Sequence, residues 1–294
     1  MTVGRAKVID KIARHRDRLT SSRLSDIEHQ VTAKRLAWCD QHPGFFAHAV
    51  GATPRRAFDL LFFDYMGLDP AELPIVEESD DRIVWRSVNP CPTLEACKAE
   101  GLDTRKVCRA VYEKSTQALV SRLDPRLRFL RDYTHLRPRA DACLERIERI
   151  DFEAMMDIAL EEARLSRAEG NKGYGAVVAL GNRVLARAHD TAKTEGDPSL
   201  HGEVNAMRAA IAQTGDADLC GTVLFSSCEP CPMCASMAVW ANVSAIVYGA
   251  SIADTIAMGK SRIAVSASEI ADRSPVIMEV IGGVRREACL ALYD

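Results

Sequence analysis

The chain is 294 residues long, 47% hydrophobic and 27% charged. At roughly 100–200 residues per domain this is enough for two packed domains, and it excludes a disordered or fibrous chain. The formal net charge of -3 gives no global positive field to draw the protein to nucleic acid or acidic lipid. That average hides an asymmetry: residues 1–150 carry 26 Lys and Arg against 22 Asp and Glu, and the remainder carry 12 against 19, or +4 and -7. The opening MTVGRAKVIDKIARHRDR lacks the apolar core of a secretory signal, so we expect a cytoplasmic protein. Ten cysteines in that setting are expected to stay mostly reduced and to serve metal binding, chemistry or core filling.

In chain order, the first 40 residues place Val8, Ile9, Ile12 and Ala13 at helical spacing among charges, which predicts one or two exposed helices. Thr53-Pro54 predicts a capped helix start, and Ala57 to Met66 an aromatic face packed in a core. Residues 82–88 read as a strand, Asp103 as the cap of a long helix reaching about Leu123, and Ala140 to Ile150 as another helix. Residues 1–150 are therefore expected to form a mainly helical accessory domain. From Asp151 onward short β-branched runs alternate with amphipathic helices. The reading is a helix at 152–169, a hairpin of Gly175–Leu180 and Val184–Ala188 turning at Gly181-Asn182, and a helix at 201–213. A strand at 220–227, a helix at 231–241, a strand at 243–250 and a last helix near 284–292 follow. Such alternation predicts a layered α/β domain over 151–294. The uncharged run Cys231 to Ala253 contains Pro232, Asn242 and three serines, and fits a buried helix and strand better than a membrane span.

Two motifs carry chemistry. His201-Gly202-Glu203 stands at one predicted helix start, and Pro230-Cys231-Pro232-Met233-Cys234 at another. Cys231 and Cys234, three apart, share a helix face and can grip one ion, while His201 supplies a nitrogen from a neighbouring helix. Three protein ligands leave the fourth tetrahedral position open, where zinc lowers the pKa of water from about 15.7 toward roughly 7. The expectation is a catalytic Zn(2+) site and not a structural one. Positive dipole ends of both helices favour the thiolates. Glu203 is turned off the ligand direction but stays close, as a proton shuttle requires. A lone Cys-x-x-Cys reads equally as a redox pair or as buried cysteines; joined to the upstream His-x-Glu it matches the recognised signature of zinc deaminases.

Three longer stretches extend the match: Gly173-Tyr174-Gly175-Ala176-Val177-Val178, DPSLHGEVNAMRAA and SSCEPCPMCASMAVWANVSAIVYGA. On these the chain from Phe152 onward, about half of it, resembles the cytidine deaminase-like superfamily, most closely bacterial guanine deaminases and tRNA adenosine deaminases. The resemblance implies a three-layer α/β/α sandwich around a five-stranded mixed sheet, assembled as a homodimer. It also implies zinc ligation by His201, Cys231 and Cys234 with Glu203 as acid/base. Gly202 departs from the usual alanine. Tyr174 stands where relatives often have a phenylalanine, to stack on a substrate ring or to pack. Asp190 stands where relatives have a substrate-binding asparagine; a carboxylate only accepts and so selects a substrate edge bearing N–H donors. Otherwise Asp190 caps a turn or faces water. Trp240 is expected in the core, and Tyr293 and Asp294 are expected to be a frayed terminus, the other reading being a tail of the kind that can cover the active site in guanine deaminase-like enzymes.

The expected function is zinc-dependent hydrolytic deamination of a small amino-substituted heterocycle, a nucleobase or nucleoside with purines favoured, releasing ammonia. Alternatives are a tRNA or RNA adenosine deaminase, a deaminase of a pterin or triazine ring, and a non-catalytic zinc-bearing regulatory protein. The acidic second half argues against nucleic acid as substrate, and no membrane partner is expected. In the first half, Cys91, Cys97, Cys108 and Cys143 form no close pair and are expected to be buried and structural. The eight arginines and five acids between Arg122 and Arg149 are read as solvated helix faces with internal ion pairs.

Overall fold

The computed structural model describes residues 3–46 and 52–293, with the side chains of 3–9 and 21 outside that description, so the expectation for Val8 and Ile9 falls outside it. The chain divides into two compact units, Met1–Arg149 and Ile150–Asp294.

The first unit opens with α1 (Val3–Ser21), α2 (Leu24–Gln41) and α3 (Pro54–Asp59), the last running on as a wider π-helical turn, Leu60–Tyr65. Next come β1 (Ile75–Glu78), β2 (Arg82–Ser87) and α4 (Pro92–Glu100). A long helical run follows, α5 (Thr104–Val107) through π-helical Cys108–Glu113 into α6 (Lys114–Ser121), before β3 (Leu127–Arg131) and β4 (Cys143–Arg149). Thr53 and Asp103 act as caps, accepting from the amides of Arg56 and Arg105. The strands form an antiparallel sheet in the order β1-β2-β4-β3. Phe58, Phe62, Trp85, Phe129 and Ile147 fill its core.

Residues 143–149 are a strand and not the expected helix. The segment CLERIER is rich in helix-forming charges, but every second residue meets a cross-strand partner. Ile147 pairs with Ile83 and Phe129, and Glu145 stands opposite Trp85 and Arg131. Trp85 Nε1 donates to Glu145 Oε2 at 3.2 Å, so tertiary pairing overrides propensity. The arginines of this region accordingly sit largely on strands and loops. Arg131 pairs with Glu145 at 2.7 Å, Arg149 with Asp124 at 2.8 Å and Arg122 with Asp40 at 2.5 Å.

The second unit runs α7 (Phe152–Ala168), β5 (Gly175–Leu180), β6 (Arg183–His189), α8 (Ala192–Glu195), α9 (Gly202–Thr214) and β7 (Val223–Cys228). It continues with α10 (Pro232–Trp240), β8 (Ala245–Ala250), α11 (Ile252–Ala257), α12 (Ala267–Asp272), β9 (Glu279–Ile281) and α13 (Arg286–Leu290). The sheet order is β6-β5-β7-β8-β9, antiparallel on the β6 side and parallel from β7 to β9. Strand side chains alternate between faces. Val177, Phe225 and Val247 pack with α7 and the C-terminal segment, whereas Ala176, Leu224 and Ile246 pack with α9 and α10. The result is a three-layer α/β/α sandwich with a mixed five-stranded sheet. Gly175 lets β5 lie against α7, since a Cβ there would meet Ala159 O at 2.1 Å. No helix among the described residues is long and apolar enough to cross a membrane.

Candidate metal centre and active site

Two helix starts converge here. His201 is the N-cap of α9 and Cys231 the N-cap of α10, with Cys234 one turn inside α10. The separations are 3.6 Å between the two Sγ atoms, 3.7 Å from Cys231 Sγ to His201 Nδ1, and 3.5 Å from Cys234 Sγ to the same nitrogen. Tetrahedral zinc, with bonds of about 2.3 Å to sulfur and about 2.0 Å to nitrogen, places two sulfurs about 3.8 Å apart and sulfur and nitrogen about 3.5 Å apart. The donor set therefore fits zinc in type and in spacing. Among the described residues it is the one group of three or more His, Cys, Asp or Glu placed to hold a metal ion.

The surroundings favour thiolate at Cys231, whereas the hydrogen bond with Cys231 and burial raise Cys234. The Cys234 thiol and His201 pull Cys231 down to about 3 against the effect of burial. His201 is raised, chiefly by its hydrogen bond with Cys231. Glu203 is buried, and that burial pushes its carboxyl above the ordinary range. Its Oε1 accepts from Ser226 Oγ at 3.3 Å, and its Oε2 lies 3.5 Å from Cys234 Sγ. Glu203 thus stands beside the donor set without belonging to it.

Asp190 follows β6 and is 0% exposed, so it does not face water. Its backbone is held at both ends: its amide donates to Tyr174 O at 2.9 Å, and its carbonyl accepts from Ser166 Oγ at 2.8 Å. Both carboxylate oxygens lack a hydrogen-bond partner, while the charge acts on His201. A buried carboxylate of this kind demands donors. Gly202 sits close against this arrangement: a Cβ there would stand 3.0 Å from Tyr174 O and 3.3 Å from Asp190 N.

The Tyr174 ring is 5.4 Å from that of Tyr293 and 5.2 Å from the Arg262 guanidinium. Arg262 also donates to Glu229 O at 3.2 Å, and its charge acts on Tyr174 and Glu203. Nothing in the local sequence around Arg262 marks it, since it arrives from a loop far along the chain. Tyr293 is buried and Asp294 lies outside the described residues. Glu229 was also unmarked by the motif; its oxygens accept from the amides of Ile252 and Ala267, fixing the starts of α11 and α12. Trp240 is not in the core as expected: it is 79% exposed at the end of α10.

Residues 150–250 match the family described as the cytidine and deoxycytidylate deaminase zinc-binding region. A guanine deaminase of Bacillus subtilis is 36% identical over 86 residues, covering 29% of this chain and 55% of its own. A tRNA-specific adenosine deaminase of the same organism is 35% identical over 98 residues, covering 33% of this chain and 61% of its own. The chain thus spans less than two thirds of the length of either relative. Among solved structures, the guanine deaminase from Nitrosomonas europaea aligns at 25% identity over 48% of this chain and 81% of its own, with a TM-score of 0.43. The stretch that matches the cytidine and deoxycytidylate deaminase zinc-binding region holds Tyr174, Asp190, His201, Glu203, Cys231 and Cys234.

Proposed function

We propose that the second unit hydrolytically deaminates a small amino-substituted heterocycle, a purine nucleobase or nucleoside in the first instance, releasing ammonia. The observation that carries this reading is a buried carboxylate, Glu203, beside a His-Cys-Cys donor set with the spacing of tetrahedral zinc. His201, Cys231 and Cys234 would hold zinc, which when bound would supply Lewis-acid activation of water at neutral pH. Glu203 would take one proton from the attacking water and pass it to a ring nitrogen, then take the proton of the new C–OH and pass it to the amine, so that the C–N bond breaks, ammonia leaves and a carbonyl remains. Ser226 holds one Glu203 oxygen, and the other, Oε2, faces the donor set at Cys234 Sγ, where it can move the proton. Asp190 accepts N–H groups from the ring edge, and Tyr174, braced by Arg262 and Tyr293, lies against the ring.

The test is ammonia release by zinc-loaded protein across guanine, adenine, cytosine, their nucleosides, and amino-substituted pterins and triazines. Release from a purine supports the reading, and release from a pterin or triazine alone moves the substrate class. The tRNA-specific relatives support a second reading, adenosine deamination in RNA. It requires salt-sensitive tRNA binding, which the acidic second unit disfavours. We further propose a homodimer through α10. Met233, Met237 and Trp240 are spaced i, i+4, i+7 along it, and Met233 and Trp240 are exposed.

A further inference from the structure

The first unit contains a cavity of about 690 Å³, a size typical of small-molecule sites. Its lining combines aromatic walls with an excess of positive charge: Arg18, Lys34, Arg35, Arg131 and Arg137 against the carboxylate of Glu145. Two of these cations are already engaged. Arg131 forms an ion pair with Glu145 at 2.7 Å, and Arg137 Nη1 donates to Asn89 O at 2.8 Å.

Arg35 is different. It projects from α2 and is 7% exposed. Its Nη1 donates to the hydroxyls of Ser115 (2.9 Å) and Thr116 (2.6 Å), and among the described residues its Nε has no hydrogen-bond partner and no carboxylate forms an ion pair with it. Burial works against its charge. Buried guanidinium groups are ordinarily matched by a carboxylate, because an unmatched charge costs several kcal/mol. The two hydroxyls satisfy hydrogen bonds but neutralise nothing. The Tyr65 ring lies 5.9 Å from the Arg35 guanidinium carbon, and Trp38, one turn along α2, packs edge-on against Tyr65 at 5.1 Å.

We propose that this cavity binds a small organic anion with a flat apolar body, its carboxylate or phosphate on Arg35 and its body against Trp38 and Tyr65. The planar guanidinium fork matches either anion. Exposed Lys34, which has no ion pair, adds positive charge at the rim. The inference is independent of the metal centre, which belongs to the other unit.

The test uses the full chain in titration calorimetry with 1-naphthoate, 1-naphthyl phosphate, inorganic phosphate and the uncharged 1-naphthamide. One molecule of either naphthyl anion should bind per chain, with inorganic phosphate and the amide each weaker by about tenfold or more. Arg35→Gln should weaken 1-naphthoate by about tenfold or more, and Arg35→Lys by less. Should Arg35→Gln fail to fold, Lys34→Ala should lower affinity by roughly threefold at low salt and less at high salt. Failure of both naphthyl anions to bind overturns the proposal, as does undiminished binding by a folded Arg35→Gln. Equal affinity for the amide removes the anion from it, and equal affinity for inorganic phosphate removes the apolar body.

Discussion

In the proposed function, Asp190 would concentrate the question of substrate choice in one side chain. Its oxygens are buried and without partners, and its backbone is tied to Tyr174 and Ser166, so the group is positioned to accept hydrogen bonds. Asp190→Asn keeps the shape and exchanges an acceptor for a donor. For the best substrate we expect kcat/KM to fall by about tenfold to a hundredfold with zinc content unchanged; unchanged kinetics would remove Asp190 from recognition. Gly202→Ala should act on the same contact by pressing its Cβ against Tyr174 O. We expect KM to rise more than kcat falls, read from steady-state kinetics. The proposed donor set was legible because local spacing constrains it: Cys231 and Cys234 share a helix face, and Glu203 follows His201 closely. Arg262 was not legible in role, because tertiary folding brings it to Tyr174 from 88 residues away, and Tyr293, singled out only as part of the C-terminal tail, comes from 119 residues away. Likewise, nothing around Arg35 indicated that its charge is buried; that follows from the packing of α2 on α6.

At the scale of elements, α7 is tied to β6 through His189. Burial works against the His189 charge, but hydrogen bonds to Glu162 (2.7 Å) and Glu169 (2.9 Å) prevail and raise it above its ordinary value. Burial likewise raises Glu162, and its bonds with His189 and Arg187 reverse this to leave it lowered. The protonated His189 therefore stabilises the fold fully below about pH 6.5, and that contribution is lost as pH rises through its raised value. The Glu162 contribution is present above about pH 4.5 and is lost as pH falls through its lowered value. The Tm difference between wild type and His189→Asn should be largest between those limits and shrink toward about pH 9. A difference constant from about pH 5 to 9 would contradict this linkage. Elements with their own periodicity and caps were legible: α7, the β5–β6 hairpin, and the helix starts at Thr53 and Asp103. Strand β4 was not, because its charged residues find their partners on β2 and β3, and no local pattern shows that.

At the scale of the molecule, the metal centre and the Arg35 cavity are each built within a single unit, so each can be altered without dismantling the other. The exposed face of α10 gives the proposed dimer a sharp test. Trp240→Glu should convert dimer to monomer in sedimentation velocity, and a wild-type chain that is monomeric at all concentrations would end the proposal. The most direct test of the central claim compares wild type with Glu203→Gln, each loaded with zinc and presented with the substrate found for the wild type. We expect one zinc per chain in both, ammonia from the wild type, and a rate at least about a hundredfold lower from the variant. Equal rates at equal zinc content would contradict the role given to Glu203 and, with it, the deaminase reading of the site.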